Sequence, residues 1–284
     1  MKKKDFRTPL IYFLTVVIAV LLIVIKKQDD RLKEEIRGDE IGEFEEKKDK
    51  KSRRLLPIPP PPELKGTIGL VIDDFGYRDD EVSDGFLNLN SRLTYAIIPG
   101  QRYSTAFGQK AVNAGYEVMV HMPMENIGER FGEEDFVLLT SMTDKEIQGR
   151  MSAALNQIPT AIGVNNHQGS KASADQRIMK NVARILKERN LFFIDSRTTT
   201  ETVAESTMEA YGVPTARRKI FLDNEDEEEK ITEQLMELVQ EAKESGTAIG
   251  IGHIRLKTLN VLKKHIPELQ KKGYKFEFVS KMLH

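Results

Sequence analysis

At 284 residues the chain has room for one large domain or two small ones, and 43 Lys+Arg against 44 Asp+Glu leave no net charge to draw it to nucleic acid. It has no cysteine, which excludes disulfides and thiolate metal sites, so any metal must be held by His, Asp or Glu. The hydrophobic residues, 39% of the total, are spread unevenly along the chain.

Residues 8–25, TPLIYFLTVVIAVLLIVI, form an uncharged run of 18 residues flanked by Lys4, Arg7, Lys26 and Lys27. As a helix it spans roughly 27 Å, just under the ~30 Å hydrocarbon core of a bilayer, and the flanking cations can snorkel to close the gap. The following IVIKKQDD lacks the small-residue pattern of a cleavage site. The expectation for residues 1–27 is therefore a short cytoplasmic tail and an uncleaved membrane anchor. Positive charge flanks both ends about equally, so charge alone does not orient it.

Residues 28–65 read as a spacer: a dense run of Lys, Arg, Glu and Asp, then PIPPPP at 57–62. A solvated helix or short coiled coil over 30–50 is the alternative for the charged part. From Gly66 to His284 short apolar runs alternate with amphipathic stretches. Strands are expected at 68–72, 93–98, 117–121, 161–165, 191–195, 218–222, 247–252 and 274–279. Thr143-x-x-Glu146 and Ser173-x-x-Gln176 read as capping boxes ahead of helices. The acidic run 225–229 suits the positive end of another helix, which Gly246 closes. Such alternation defines an α/β domain with a mostly parallel sheet of seven or eight strands, either a barrel or an open doubly wound sheet.

In α/β folds function collects at the carboxyl ends of strands. Here strand 68–72 ends in Asp73-Asp74, 117–120 in His121, 161–165 in Asn166-His167, 191–194 in Asp195 and 247–252 in His253. Three of the five histidines thus lie on one edge. A carboxylate and two imidazoles from separate strands suffice for a zinc-type site with an open position, leaving an Asp and a His for acid–base work. Alternation along a strand puts Asp73 and Asp74 on opposite faces, which suits separate tasks.

The runs VIDDFGY, VMVHMPME, GVNNHQGS, LFFIDSRTT, RKIFLDN and AIGIGH, in that order over about residues 66–281, resemble the successive motifs of the divergent polysaccharide deacetylase family. The resemblance implies a distorted (β/α) barrel and metal-dependent removal of acetyl groups from glycans. It implies Asp73 as base and Asp74, His121 and His167 as ligands of a divalent metal, zinc by expectation. His253 would protonate the leaving group, with Asp195 orienting it and Arg197 holding the base ionised. Two departures stand out. HMPME has a single His, with Glu125 where a second ligand falls in related enzymes, so the third ligand is His167 or Glu125. The late Gly-His is followed by Ile254 rather than Pro.

The reading that follows is a membrane-anchored, extracytoplasmic deacetylase-like hydrolase acting on acetylated polysaccharide or peptidoglycan, with no nucleic-acid partner. A glycan-binding protein that keeps the fold, and a metal-free glycoside hydrolase using Asp73, Asp74 and Asp195, are the alternatives. There is no Trp, so the loop candidates for sugar stacking are Phe75, Tyr77, Tyr103 and Phe131.

Overall fold

The computed structural model describes residues 23–28, 63–128 and 135–284. Residues 23–28 are helical, while the rest of the expected anchor and almost all of the spacer lie outside the described residues. Among the described residues no helix is long and apolar enough to cross a membrane. The chain divides into two units, Met1–Pro59 and Pro60–His284, and the second carries all the strands found among the described residues.

Among the described residues nine strands, paired throughout in parallel, form one sheet. They are β1 (Gly66–Phe75), β2 (Thr94–Ile97), β3 (Glu117–Met124), β4 (Gly163–Gln168), β5 (Phe192–Asp195), β6 (Thr215–Arg217), β7 (Ile220–Phe221), β8 (Thr247–His253) and β9 (Tyr274–Glu277). The spatial order is β6-β5-β4-β3-β2-β1-β8-β7, with β9 beside the start of β1. Of the strand expected at 218–222 only Ile220–Phe221 forms, as β7; β6 at Thr215–Arg217 is not among the expected strands, and the two part at consecutive residues. Arg218 N–H donates to Asp195 C=O on one side and Lys219 N–H to Ile249 C=O on the other. The sheet therefore curls into a half-barrel whose two edge strands follow one another in the chain.

Seven helices link the strands: α1 (Glu81–Leu87), α2 (Ser104–Asn113), α3 (Asp144–Gln157), α4 (Gln176–Arg189), α5 (Ala204–Tyr211), α6 (Glu228–Ser245) and α7 (Leu256–Lys271). Thr143 and Glu146 cap α3 reciprocally, as their spacing predicts. For α4 the cap is Asp175, whose carboxylate accepts from the N–H groups of Arg177 and Ile178; Ser173 lies in a preceding 3₁₀ turn and is not the cap. Gly246 ends α6 at φ 82°.

The two faces of the sheet bury different sets of residues. Ile68, Leu70, Ile72, Val120 and Phe193 pack with helical residues such as Phe86, Phe107, Ile147 and Leu238 in the main core. Val71, Ala96, Met119, Phe192, Ile194, Ile249 and Ile251 line the concave face, where Val279, Met282 and Leu283 fill the floor. Phe75 belongs to the main core: it stacks on Phe107 at 4.1 Å and meets Tyr95 at 4.9 Å, so it is no sugar platform. Tyr77 is exposed, and Phe131 lies outside the described residues.

Candidate functional site

Period-two alternation carries the concave apolar layer directly into the site. Two residues beyond Val71 comes Asp73, two beyond Met119 comes His121, and two beyond Ile251 comes His253. Strand register completes the arrangement, because Asp73 lies opposite His253 and His121 opposite Asn165, with His167 two positions past Asn165 on the same face. Side chains from four strands meet at one end of the half-barrel.

Alternation fails at one place, and the failure makes the site. Between β1 and β2 the register advances from Ile72↔Tyr95 to Phe75↔Ile97, so β1 carries one extra residue. That bulge holds Asp74 at φ 70°, a region rare for a residue with a Cβ. Phe75 returns to the main core, and Asp74 turns towards the same imidazole as Asp73. His121 Nε2 is 3.4 Å from Asp73 Oδ2 and 3.4 Å from Asp74 Oδ1. The expected separation of the pair onto opposite faces is thus replaced by convergence.

Asp74 Oδ1, His121 Nε2 and His167 Nδ1 form a compact triangle. Asp74 Oδ1 is 3.2 Å from His167 Nδ1, and the two imidazole nitrogens are 3.1 Å apart. Donors 2.0–2.1 Å from a tetrahedral ion lie about 3.3–3.4 Å from one another, so the triangle has the size of one face of a zinc-type coordination sphere. Burial opposes ionisation of Asp74, but the two imidazoles outweigh it and hold the carboxyl well below its usual range. Its Oδ1 is nonetheless buried without a properly directed hydrogen-bond donor. An ionised oxygen without a directed donor, flanked by two imidazole nitrogens, is a donor set that fits a cation.

Glu125, the other candidate ligand, serves elsewhere. Its carboxylate accepts from Thr140 N–H and Oγ1–H at 2.6 and 2.7 Å and from Lys171 Nζ at 2.9 Å, which pulls its pKa down to about 2 against the cost of burial. It ties the segment after β3 to the one after β4.

Asp73 is buried, and desolvation raises its pKa despite the opposing influence of His121, His253 and a hydrogen bond from Asn165. A carboxyl tuned upward beside a metal triangle is suited to accept a proton. His253 presents Nε2 to Asp74 Oδ2 at 3.9 Å, with Nδ1 2.8 Å from Asp223 Oδ1. Asp223 also accepts from His253 N–H at 2.7 Å and Thr258 Oγ1–H at 2.6 Å. Burial pulls the His253 pKa down, but the bond and charge of Asp223, with Asp74 and Asp73, raise it overall.

The carboxylate beside His253 is not the expected Asp195, and Arg197 does not meet Asp73. Asp195 shares its face with Phe193 of the main core, not with the concave Ile194, so it points away from His253; its carboxylate accepts from Arg197 N–H and Thr202 Oγ1–H. Asp223 follows the concave Phe221 by two and takes that place. Arg197 sits at φ 48°, and among the described residues its guanidinium forms no ion pair with Asp73. The guanidinium that spans this region is that of Arg218, bonded to the carbonyls of Ser196 and Arg197 and stacked over Phe221, whose ring lies 5.0 Å from that of His253. Asn165 is not among the expected site residues; its sequence signal is a pair of asparagines inside an otherwise buried strand.

A parallel half-barrel carries a two-histidine, one-carboxylate triangle that could hold a metal, and a His–Asp pair, at the carboxyl ends of its strands. The chain belongs to the divergent polysaccharide deacetylase family, whose profile it matches over residues 70–283. It is 34% identical over 208 residues to the uncharacterized protein YibQ of Escherichia coli K12, a match covering 73% of this chain and 65% of that protein. It is 36% identical over 204 residues to an uncharacterized protein of Haemophilus influenzae, covering 71% and 72% respectively. Among solved structures, the uncharacterized protein ATU2773 of Agrobacterium tumefaciens C58 shares the fold with a TM-score of 0.73 at 22% identity, over 76% of this chain and 89% of that one.

Proposed function

We propose that the domain is a metal-dependent deacetylase acting on acetylated cell-envelope glycan of the polysaccharide or peptidoglycan type. The observation that carries the reading is the Asp74–His121–His167 triangle with an orphaned carboxylate oxygen, bordered by a second carboxylate and a carboxylate-backed imidazole. A divalent cation held there, zinc by the N/O donor set, would supply Lewis acidity towards an acyl oxygen and water. Asp73, through the Oδ2 that faces His121, accepts the proton of the attacking water. His253 donates from Nε2 to the departing sugar nitrogen or oxygen, and Asp223 stabilises the imidazolium that makes this donation possible. The anchoring of residues 8–25 in a membrane, with the domain on its outer side, belongs to the same proposal and rests on the sequence of that segment.

The test is acetate release from N- and O-acetylated glycan fragments by the detergent-solubilised, zinc-loaded full chain. Release is expected, with Asp73→Asn abolishing it while zinc stays bound. Fully loaded protein that binds these glycans without releasing acetate would overturn the enzymatic reading, and glycosidic cleavage by metal-free protein would point to the carboxylates as a glycosidase pair.

A further inference from the structure

Asn165 is fully buried in the middle of β4, where an apolar side chain would ordinarily pack. Its amide is used at both ends. Nδ2 donates to Asp73 Oδ1 at 2.9 Å and lies 3.3 Å from Ser196 Oγ. Oδ1 is 2.8 Å from His121 Nδ1. An ionised carboxylate only accepts, so the NH₂ group must face Asp73 and the carbonyl must face His121. The carbonyl in turn only accepts, so the proton of a neutral His121 resides on Nδ1. Its Nε2, 3.4 Å from Asp74 Oδ1 and 3.1 Å from His167 Nδ1, is left with the lone pair.

We propose that Asn165 is the positioning residue of the centre: a single fixed amide that sets the His121 tautomer for metal binding and holds the Asp73 carboxylate beside it. The inference rests on the metal-centre reading of Asp74, His121 and His167. It goes beyond that reading in assigning ligand and base to one switchboard group that touches neither the reacting atoms nor the cation. The strand register supports it independently, because His121 and Asn165 are direct cross-strand partners and their side chains meet without any loop rearrangement. It also distinguishes the two neighbouring asparagines. Asn166, on the other face, binds the Gln168 carbonyl and accepts from Ser196 N–H, so it organises the loops after β4 and β5 instead.

The experiment compares native protein with Asn165→Leu and Asn165→Asp by zinc titration and by long-range ¹H–¹⁵N NMR of His121 in the metal-free state. Asn165→Leu removes both contacts at nearly constant volume. It should weaken zinc binding by about 10–100-fold, the range seen when the outer partner of a ligating histidine is lost, and shift His121 away from the Nδ1–H form. Asn165→Asp keeps the oxygen facing His121 and removes the donor facing Asp73. It should hold zinc affinity within about threefold of native and lose acetate release, a split that a merely structural residue would not produce. A folded Asn165→Leu protein with native zinc affinity and an unchanged His121 tautomer overturns the proposal. If Asn165→Leu does not fold, a tenfold or greater loss of zinc affinity in Asn165→Asp overturns it, because the bond to His121 survives there. Native protein that shows His121 as Nδ1–H yet binds no zinc would refute the metal centre while leaving the tautomer assignment standing, so the two failures are distinguishable.

Discussion

Replacing Asp223 by Asn separates the charge of the carboxylate from the space it fills. Oδ2 accepts from two donors, His253 N–H at 2.7 Å and Thr258 Oγ1–H at 2.6 Å, while Oδ1 faces His253 Nδ1 at 2.8 Å. An amide NH₂ cannot sit against the backbone N–H, so it must take the place of Oδ1 and donate to Nδ1. The imidazole proton is then driven to Nε2 and Nδ1 becomes an acceptor, so the imidazolium that donates from Nε2 can form only by breaking the new bond. The charge is lost as well. Burial alone depresses His253, and Asp223 is the main group that lifts it. A charge-assisted hydrogen bond contributes about 1.5–3 kcal/mol, so its loss should lower the imidazolium-to-imidazole ratio at a given pH about ten- to a hundredfold. The assay is an ¹H–¹⁵N NMR titration of His253 in native and variant protein, paired with acetate release, which should fall by roughly 10²–10⁴-fold. An unchanged His253 tautomer and titration in Asp223→Asn would refute the reasoning, whatever the activity.

Other predictions concern the scaffold. Asp175→Ala should cost about 0.5–2 kcal/mol in chemical denaturation by uncapping α4, whereas Ser173→Ala, which deletes a buried hydroxyl without a partner, should be neutral or stabilising; the reverse order would restore Ser173 as the cap. A methyl group at Gly66 would lie 2.5 Å from the Ala242 carbonyl oxygen, so Gly66→Ala should destabilise by about 1–3 kcal/mol, while Gly149→Ala, in open space on α3, should stabilise by about 0.5–1 kcal/mol. Glu277 is held down to about 2, first by Arg92 and then, against burial, by Lys275 and Phe278 N–H. Its native pKa lies below the unfolded one, so it stabilises the fold above about pH 4.5 and that contribution is lost as pH falls towards 2. Denaturation midpoints of native protein should therefore drop across this window more steeply than those of Glu277→Gln, and parallel curves would contradict the assignment.

How much of this was legible in the sequence depends on how local each determinant is. Apolar runs ending in a polar residue marked nearly every strand, because burial of both sheet faces leaves that signature without any knowledge of partners. The same signature puts Asp73, Asp74, His121 and His167 at strand ends, while the choice of Asp74, His121 and His167 as a ligand set comes only from the family resemblance. The bulge at Asp74 follows from neither, because VIDDFGY reads equally well as a regular strand end; only the extra residue against β2 shows that both carboxylates face one way. FFID and IFLD are indistinguishable as patterns, and the choice of Asp223 over Asp195 depends on β7 lying beside β8 and on which face each aspartate takes. Asn165 is hidden for another reason. It sits within a strand rather than at its end, so the sequence marks a polar residue in a buried run but only the cross-strand register with His121 shows its partner.

The central claim is that Asp74, His121 and His167 hold one metal ion. Anomalous diffraction at the zinc edge from crystals of zinc-loaded protein tests it most directly. The account predicts a single strong peak about 2.0–2.2 Å from Asp74 Oδ1, His121 Nε2 and His167 Nδ1. A fully loaded crystal with no peak at this triangle, or with the metal held by Glu125, would contradict it.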